Sequence, residues 1–265
     1  MPLLGETEKI ARKLLPIIYV LDTSGSMEGS RIAAVNAAMN ETMEVLKDVS
    51  SKNPTAELKI AVLQFSSGPQ WVTENLVFME DFYWNDLKAG GLTDFGSALN
   101  ELNNKLSREQ FLVSEVGFKA PVIIFMSDGE PTDDYESALN KIKSNNKWFQ
   151  VATKIAIAVG DDANIQVLQK IAGNKEAVIK VDDLETLKKL IRVVSVTATM
   201  IGSKSRTEDD QTDKVISKIE QDMGDEIQVP SDPEISQENN TQDSSDSLSG
   251  QDVDDSDPWG NGVWD

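Results

Sequence analysis

The stretch Pro16-Ile-Ile-Tyr-Val-Leu-Asp22-Thr-Ser24-Gly-Ser26 joins a run of apolar residues to an abrupt polar turn. The apolar run is continuous rather than alternating, which is typical of a parallel strand that helices cover on both faces. An aspartate and two serines then follow at alternate positions, where the chain must turn. Their carboxylate and hydroxyl oxygens can face one hard cation, and such oxygens suit magnesium better than zinc. On its own, the pattern is at least equally compatible with an Asx turn that caps the next helix.

Strand-like and helix-like segments alternate up to about residue 200, in the manner of an α/β protein. The predicted strands cover residues 16–21, 57–65, 121–126, 151–159 and 177–181, with a short antiparallel edge strand at 71–78 after a turn at 67–69. The predicted helices cover residues 30–48, 95–106, 133–147, 164–172 and 183–200. This order predicts a doubly wound, mostly parallel sheet with one short antiparallel edge strand. Such sheets bind ligands beyond the carboxyl ends of their strands, where Asp22 and Asp128 both lie.

The composition excludes several classes of function. The chain contains no cysteine, so a disulfide framework or a cysteine-based zinc site is impossible. It contains no histidine, which removes the usual general base and argues against most hydrolase mechanisms. A net charge of −20 argues against nucleic-acid binding, because it would repel phosphates. We find no signal-peptide pattern and no apolar run of the roughly 18–20 residues that a membrane span needs, so we expect a soluble cytoplasmic protein.

Charge is distributed unevenly and predicts two regions. From Ser203 to Asp265 the chain has 18 acidic and four basic residues, which accounts for −14 of the net charge. We therefore expect a globular domain over residues 1–202 and an acidic, mostly disordered tail over residues 203–265, interrupted by a possible short helix at 215–223. Trp259 and Trp264 near the end of the tail are unexpected in a purely solvating segment. We interpret them as anchors for a partner, with autoinhibition of the body or plain solvation as alternatives.

Two further segments also carry hydroxyl or carboxylate oxygens that could face a cation. Gly90-Gly-Leu-Thr93-Asp-Phe-Gly96 places a threonine between glycines just ahead of a predicted helix, and Ser127-Asp128-Gly-Glu-Pro-Thr-Asp-Asp134 places an aspartate at the end of a buried strand. The order Asp-x-Ser-x-Ser, then Thr, then Asp resembles the metal-ion-dependent adhesion site (MIDAS) of von Willebrand factor A (VWA) domains. The resemblance covers residues 16 to about 200, and every MIDAS position is present. In detail, the segments look most like bacterial VWA proteins of the tellurite-resistance TerY type.

The resemblance implies a role for each position. Ser24, Ser26 and Thr93 would coordinate Mg²⁺ or Mn²⁺ through their hydroxyl oxygens. Asp22 and Asp128 would hold waters of the ion and orient the serines. An acidic residue of a partner protein would then complete the coordination of the ion. The nearby acids are interpreted as rim charges and helix caps rather than ligands: Asp94, Glu130, Asp133 and Asp134.

The resemblance also implies a class of function, which is a metal-dependent protein-interaction module and not an enzyme. Such adaptors are often encoded near protein kinases, PP2C-type phosphatases or stress-response proteins, and we expect this one to be a monomer on its own. A magnesium-dependent hydrolase is the alternative from another class. We favour it less, because the chain has no histidine and the implied ligands lack the carboxylates that would hold a second metal. An adaptor for a MoxR-type AAA+ ATPase is a further alternative within the binding class.

Overall fold

A mostly parallel β-sheet forms the centre of the protein in a computed structural model, which describes residues 11–174, 176–181, 183–205 and 210–229. The order of the strands in space is β3-β2-β1-β5-β6-β7, and the short β4 pairs with β2. Among the strands of the described residues, β3 and β4 run antiparallel to their neighbour β2, and the other pairs are parallel. The predicted fold class is therefore confirmed. The strands are β1 (Lys13–Asp22), β2 (Ala56–Ser66), β3 (Gly68–Trp71), β4 (Val77–Phe78), β5 (Val122–Ser127), β6 (Thr153–Val159) and β7 (Val178–Val181).

Helices cover both faces of this sheet. One apolar cluster packs α1, α6 and α7 on one face, and a second packs α2, α3, α4 and α5 on the other. None of the helices in the described ranges is both long and apolar enough to cross a membrane. The helices are α1 (Ser30–Ser51), α2 (Phe95–Lys105), α3 (Tyr135–Asn145), α4 (Lys147–Val151), α5 (Ile165–Ala172), α6 (Leu184–Lys204) and α7 (Thr212–Met223).

The central strand β1 shows why its apolar run is continuous. Ile17, Tyr19 and Leu21 enter the cluster under α1 and α6, whereas Ile18 and Val20 enter the cluster under α2 and α3. Because successive side chains of a strand point to opposite faces, both faces need apolar residues. The strand therefore brings Asp22 to the carboxyl edge of the sheet with helices packed on either side.

Three predicted elements have different boundaries in the structure. The antiparallel edge is not one strand at 71–78 but the separate strands β3 and β4, because the chain reverses so tightly that Ser66 already pairs with Gly68. The strand β6 does not begin at residue 151, because Val151 is the last residue of α4 and Ala152 lies between that helix and the strand. The side chain of Asn146 accepts a hydrogen bond from the backbone N–H of Phe149 and so caps this short helix. The helix predicted at 133–147 therefore ends at Asn145, and α4 begins as a separate helix after Asn146.

The segment after α6 also differs from its prediction. Helix α7 buries Val215, Ile216, Ile219 and Met223 in the apolar cluster of α1 and α6. Residues 210–229 therefore belong to the body, with the sheet, and not to a disordered tail that begins at residue 203. The short helix expected at 215–223 is present as α7, but the low average hydrophobicity of the segment gave no sign that its narrow apolar stripe packs on the body. Trp259 and Trp264 lie outside the described residues.

Candidate metal centre

The turn after β1 brings together the first three predicted site residues. Asp22 and Ser24 are each only 1% exposed, so both lie at the inner end of the turn. The backbone N–H of Ser24 donates a 2.8 Å hydrogen bond to Asp22 Oδ1, and the hydroxyl oxygens of Ser24 and Ser26 lie 3.0 Å apart. This is an Asx turn, yet helix α1 begins after Gly29 without any side-chain cap. The turn therefore organises the two serines and does not cap the helix.

Asp22 is held from the neighbouring strand as well. The hydroxyl of Ser127, at the end of β5, donates a 2.6 Å hydrogen bond to Asp22 Oδ2, and the N–H of Gly129 donates to that same Ser127 oxygen at 2.7 Å. Burial raises the pKa of Asp22, the hydrogen bonds from Ser127 and Ser24 oppose this rise, and the charge of Asp128 adds to it. The sequence placed Ser127 next to Asp128 but gave it no role. Its position at the end of a predicted strand was a partial signal, but the pairing of that strand with β1 appears only in the structure.

Asp128 has an oxygen without a partner. Asp128 is only 3% exposed, and its Oδ1 is buried without any hydrogen bond to the described residues. Its main-chain oxygen accepts a 2.6 Å hydrogen bond from the N–H of Asn164, which anchors the loop to the start of α5. A buried carboxylate oxygen is costly to leave unpaired. A bound cation, directly or through water, would satisfy Asp128 Oδ1.

The loop that carries Thr93 lies directly against the Asp22–Ser26 turn. The N–H of Gly90 donates to the carbonyl of Thr23 at 2.8 Å, and the N–H of Gly25 donates to the carbonyl of Gly91 at 3.1 Å. A Cβ atom at position 25 would lie 3.3 Å from that same Gly91 oxygen, so the absence of a side chain permits the close approach. Thr93 itself is largely buried at this contact.

The third segment is joined to Thr93 by reciprocal hydrogen bonds. The N–H of Thr93 donates to Thr132 Oγ1 at 3.0 Å, and the N–H of Thr132 donates to the carbonyl of Thr93 at 2.9 Å. One residue further on, Asp133 accepts hydrogen bonds from the N–H groups of Gly96 and Ser97 at 2.7 and 2.8 Å. Asp133 thus caps α2 from a different loop. All three sequence segments therefore meet at one edge of the sheet.

The other three nearby acids each accept a hydrogen bond. Asp134 caps its own helix α3 by accepting from the N–H of Ser137 at 3.2 Å. Asp94 accepts from the hydroxyl of Thr132 at 3.2 Å, and Glu130 accepts from the side-chain amide of Asn164 at 3.3 Å. These contacts give each of the three side chains a hydrogen-bond partner.

The donor set determines which ions fit. Within the described ranges, no group of three or more histidine, cysteine, aspartate or glutamate side chains is placed to hold a metal. A cation at this edge would rely on hydroxyl oxygens supplemented by two carboxylates, and an all-oxygen set suits hard cations. The paired hydroxyls of Ser24 and Ser26 and the unpaired oxygen of Asp128 fit such an ion.

Residues 17–193 match the von Willebrand factor type A domain family. The chain belongs to this family. VWA domains commonly mediate metal-dependent protein–protein interactions, and those with a MIDAS bind divalent cations. They are in general interaction modules rather than enzymes. The resemblance expected from the Asp22–Ser26 turn is therefore confirmed at the level of the family.

Known proteins resemble this chain over part of their own length. Human inter-alpha-trypsin inhibitor heavy chain H6 is 27% identical over 161 residues, which are 59% of this chain but only 12% of that protein. Among solved structures, the pilus adhesin SpaC from Lactobacillus rhamnosus GG has a TM-score of 0.55 at 14% identity, covering 72% of this chain and 30% of its own. Proximal thread matrix protein 1 from the mussel byssus has a TM-score of 0.53 at 18% identity, covering 71% and 48%. These structures show the fold alone.

Proposed function

We propose that this VWA protein is an adaptor that binds an acidic residue of a partner protein through a divalent cation. Ser24, Ser26 and Thr93 would hold the ion through their hydroxyl oxygens, and Asp22 and Asp128 would hold its waters. The observation that carries the proposal is the buried, unpaired Oδ1 of Asp128 at the edge where the paired hydroxyls of Ser24 and Ser26 lie. The resident ion is proposed to be Mg²⁺ or Mn²⁺, because every available donor is an oxygen.

The chemistry of the donors supports binding rather than turnover. Three neutral hydroxyl ligands leave a divalent ion with most of its charge, so a carboxylate from outside is a favourable further ligand. The chain has no histidine to serve as a general base. A magnesium-dependent hydrolase is the second candidate, since a cation can activate water. Assays of phosphoester turnover with the magnesium-loaded protein separate the two, because the adaptor is expected to show none.

The biological setting of the adaptor is proposed from the resemblance of its three segments to TerY-type proteins. A bacterial stress-response system linked to a protein kinase or a PP2C-type phosphatase would supply the acidic partner in the cytoplasm. A MoxR-type AAA+ ATPase is the alternative partner. Candidate partners of each type can be compared directly by binding to the magnesium-loaded protein.

The first test concerns the ion itself. Addition of Mg²⁺ or Mn²⁺ should raise the melting temperature of the wild-type protein, because a ligand that binds only the native state stabilises it. Asp22→Ala and Ser24→Ala should abolish this rise while the metal-free protein still folds. A double variant that retains the full wild-type rise would show that the ion binds elsewhere.

The second test concerns the bridge to a partner. Binding to a candidate partner should require the divalent ion, and it should be lost with EDTA and with Thr93→Ala. Substitution of one acidic residue on the partner should have the same effect. Undiminished binding by the metal-free protein, measured by calorimetry, would contradict an ion-bridged mechanism and leave the metal with a structural role.

The last part of the proposal concerns Trp259 and Trp264, which we propose to dock on a partner as aromatic anchors. Deletion of residues 252–265 tests this directly. Docking predicts a loss of partner affinity, whereas an autoinhibitory tail predicts a gain. An unchanged affinity would leave only a solubilising role for this acidic segment.

A further inference from the structure

Arg31, near the start of α1, reaches two of the predicted site residues. Its Nη1 lies 3.7 Å from Asp128 Oδ2 and donates a 3.2 Å hydrogen bond to the main-chain oxygen of Ser26. Its Nη2 donates to Asp162 Oδ1, in the loop between β6 and α5. The Arg31 side chain is only 21% exposed, whereas that of Asp162 is 63% exposed. The guanidinium therefore spans from the buried edge of the candidate metal centre to its solvent-facing rim.

The loop after β6 leaves room for this guanidinium. Gly160 has a φ of +97°, and a Cβ atom there would lie 2.5 Å from Arg31 Nη2 and 2.8 Å from Asp162 Oδ1. A side chain at position 160 would need Arg31 or Asp162 to move, and the positive φ itself favours glycine there. The guanidinium thus lies between α1, the loop after β5 and the loop after β6.

The charges around Arg31 indicate what it does. Asp22 and Asp128 are both buried at this edge of the sheet, where they place two carboxylates near each other. Two buried carboxylates destabilise a metal-free site unless a cation offsets them. Arg31 supplies that cation through its ion pair with Asp128 Oδ2. The other oxygen, Asp128 Oδ1, has no hydrogen-bond partner among the described residues. A metal ion near Asp128 Oδ1 would be repelled by the same guanidinium.

We infer that Arg31 is a built-in counter-ion that stabilises the metal-free site and lowers its affinity for divalent cations. The inference rests on the proposed ion site and concerns its regulation. When a metal ion neutralises the charge of Asp128, the guanidinium of Arg31 keeps its ion pair with the carboxylate of Asp162. Arg31 is thus a positioning residue that sets the affinity of the site for divalent cations. It thereby also sets the metal concentration at which the protein binds a partner.

Calorimetric titration of the full chain with MnCl₂ and with MgCl₂ tests this inference. Arg31→Met removes the charge but keeps an apolar stem, so it should bind Mn²⁺ on the order of threefold to tenfold more tightly than the wild type. The metal-free Arg31→Met protein should also melt about 2–5 °C lower, because its buried carboxylates lose their cation. Arg31→Lys keeps the charge and should retain an affinity close to that of the wild type.

Arg12→Met is the matched control, because it removes the same charge at the opposite end of β1, where Arg12 pairs with Glu57 at 3.2 Å. It should leave the Kd for Mn²⁺ unchanged. Asp162→Asn should act in the opposite direction to Arg31→Met and weaken Mn²⁺ binding, since the guanidinium then has only Asp128 as a carboxylate partner. This second variant tests the inference even if Arg31→Met folds poorly.

The outcomes separate the inference from the proposed function. If the wild type takes up neither ion, the ion site itself is wrong and the inference falls with it. If the wild type binds Mn²⁺ but Arg31→Met binds it equally or more weakly, the ion site stands and the counter-ion role is overturned. Arg31 would then serve only to join α1 to the neighbouring loops.

Discussion

Ser127 donates a 2.6 Å hydrogen bond to Asp22 Oδ2 and so joins the carboxyl ends of two adjacent parallel strands. The other oxygen of Asp22 accepts from the backbone N–H of Ser24, so the carboxylate is held from both sides. Neither oxygen can rotate away without breaking a buried hydrogen bond. The orientation of the Asp22 carboxylate is therefore set by the pairing of β1 with β5 as well as by its own turn.

Ser127→Ala should weaken the binding of Mn²⁺ or Mg²⁺ without unfolding the protein. Loss of a partner that orients a metal-site residue typically costs about tenfold to a hundredfold in affinity. The pKa of Asp22 should rise further, because one of the hydrogen bonds that lowers it disappears. Calorimetric Kd values for the variant and for the exposed control Ser144→Ala check this. An unchanged Kd in Ser127→Ala would mean that the turn alone orients Asp22.

Ile219→Ala should destabilise the whole body. Ile219 is fully buried in the cluster that α7 shares with α1 and α6. Truncation of a buried isoleucine costs about 2–5 kcal/mol of unfolding free energy. Urea unfolding should show this loss, whereas Ser217→Ala on the exposed side of the same helix should change stability by less than about 0.5 kcal/mol. Equal stability of both variants would indicate that α7 leaves the body in solution.

Lys154 gives the protein a pH-dependent stability. Its buried Nζ donates to the carbonyls of Phe149 and Ala152 at 3.1 and 2.6 Å, and it lies 3.8 Å from Asp210 Oδ2. Burial lowers the pKa of Lys154 below its ordinary 10.5, and the charge of Asp210 offsets part of that decrease. The native state therefore loses this proton before the unfolded chain does. Between the lowered pKa and 10.5, the contribution of Lys154 to stability rises with pH.

Lys154→Met provides the comparison for this effect. At neutral pH it should cost about 1–3 kcal/mol, because two carbonyls lose their buried donor. The difference in unfolding free energy between wild type and variant should widen as pH rises toward 10.5. Urea unfolding at neutral pH and just below 10.5 measures both quantities. A difference that stays constant would show that the amine titrates at its ordinary pKa in the native state.

The sequence predicts those parts of the fold that depend on local pattern. The apolar run before Asp22 predicts a strand buried on both faces, and the two clusters that share Ile17 and Ile18 explain why the prediction succeeds. The meeting of the Asp22 turn with the Asp128 loop also follows from the pattern, because both lie at carboxyl ends of predicted parallel strands and such ends share one edge. The place of the Thr93 loop beside them followed only from the resemblance to VWA domains.

The contacts that the sequence did not predict depend on register and on distant segments. The role of Ser127 requires that Leu21 pairs with Met126, which no local pattern reveals. The contact of Arg31 with Asp162 joins residues that are 131 positions apart. The packing of α7 was hidden for another reason, since its apolar residues are few and the acidic residues around them dominate the composition.

Asp133 and Asp134 are adjacent caps of different helices, and their variants should separate stability from metal binding. Asp133 accepts from Gly96 and Ser97 and so joins its own loop to the helix that follows Thr93. Asp134 accepts only from Ser137 within α3. Replacement of either cap by alanine should cost about 0.5–2 kcal/mol in urea unfolding. The two losses should therefore be similar in size.

Metal affinity should distinguish these two variants, because Asp133, unlike Asp134, holds the loop of Asp128 to the helix behind Thr93 by side-chain hydrogen bonds. Asp133→Ala should loosen that connection and weaken Mn²⁺ binding by roughly tenfold, which is the lower end of the effect of losing a supporting contact. Asp134→Ala should leave the Kd unchanged, since α3 frays without moving Thr93. Equal Kd values for both variants would show that the reciprocal bonds between Thr93 and Thr132 suffice to hold the two loops together.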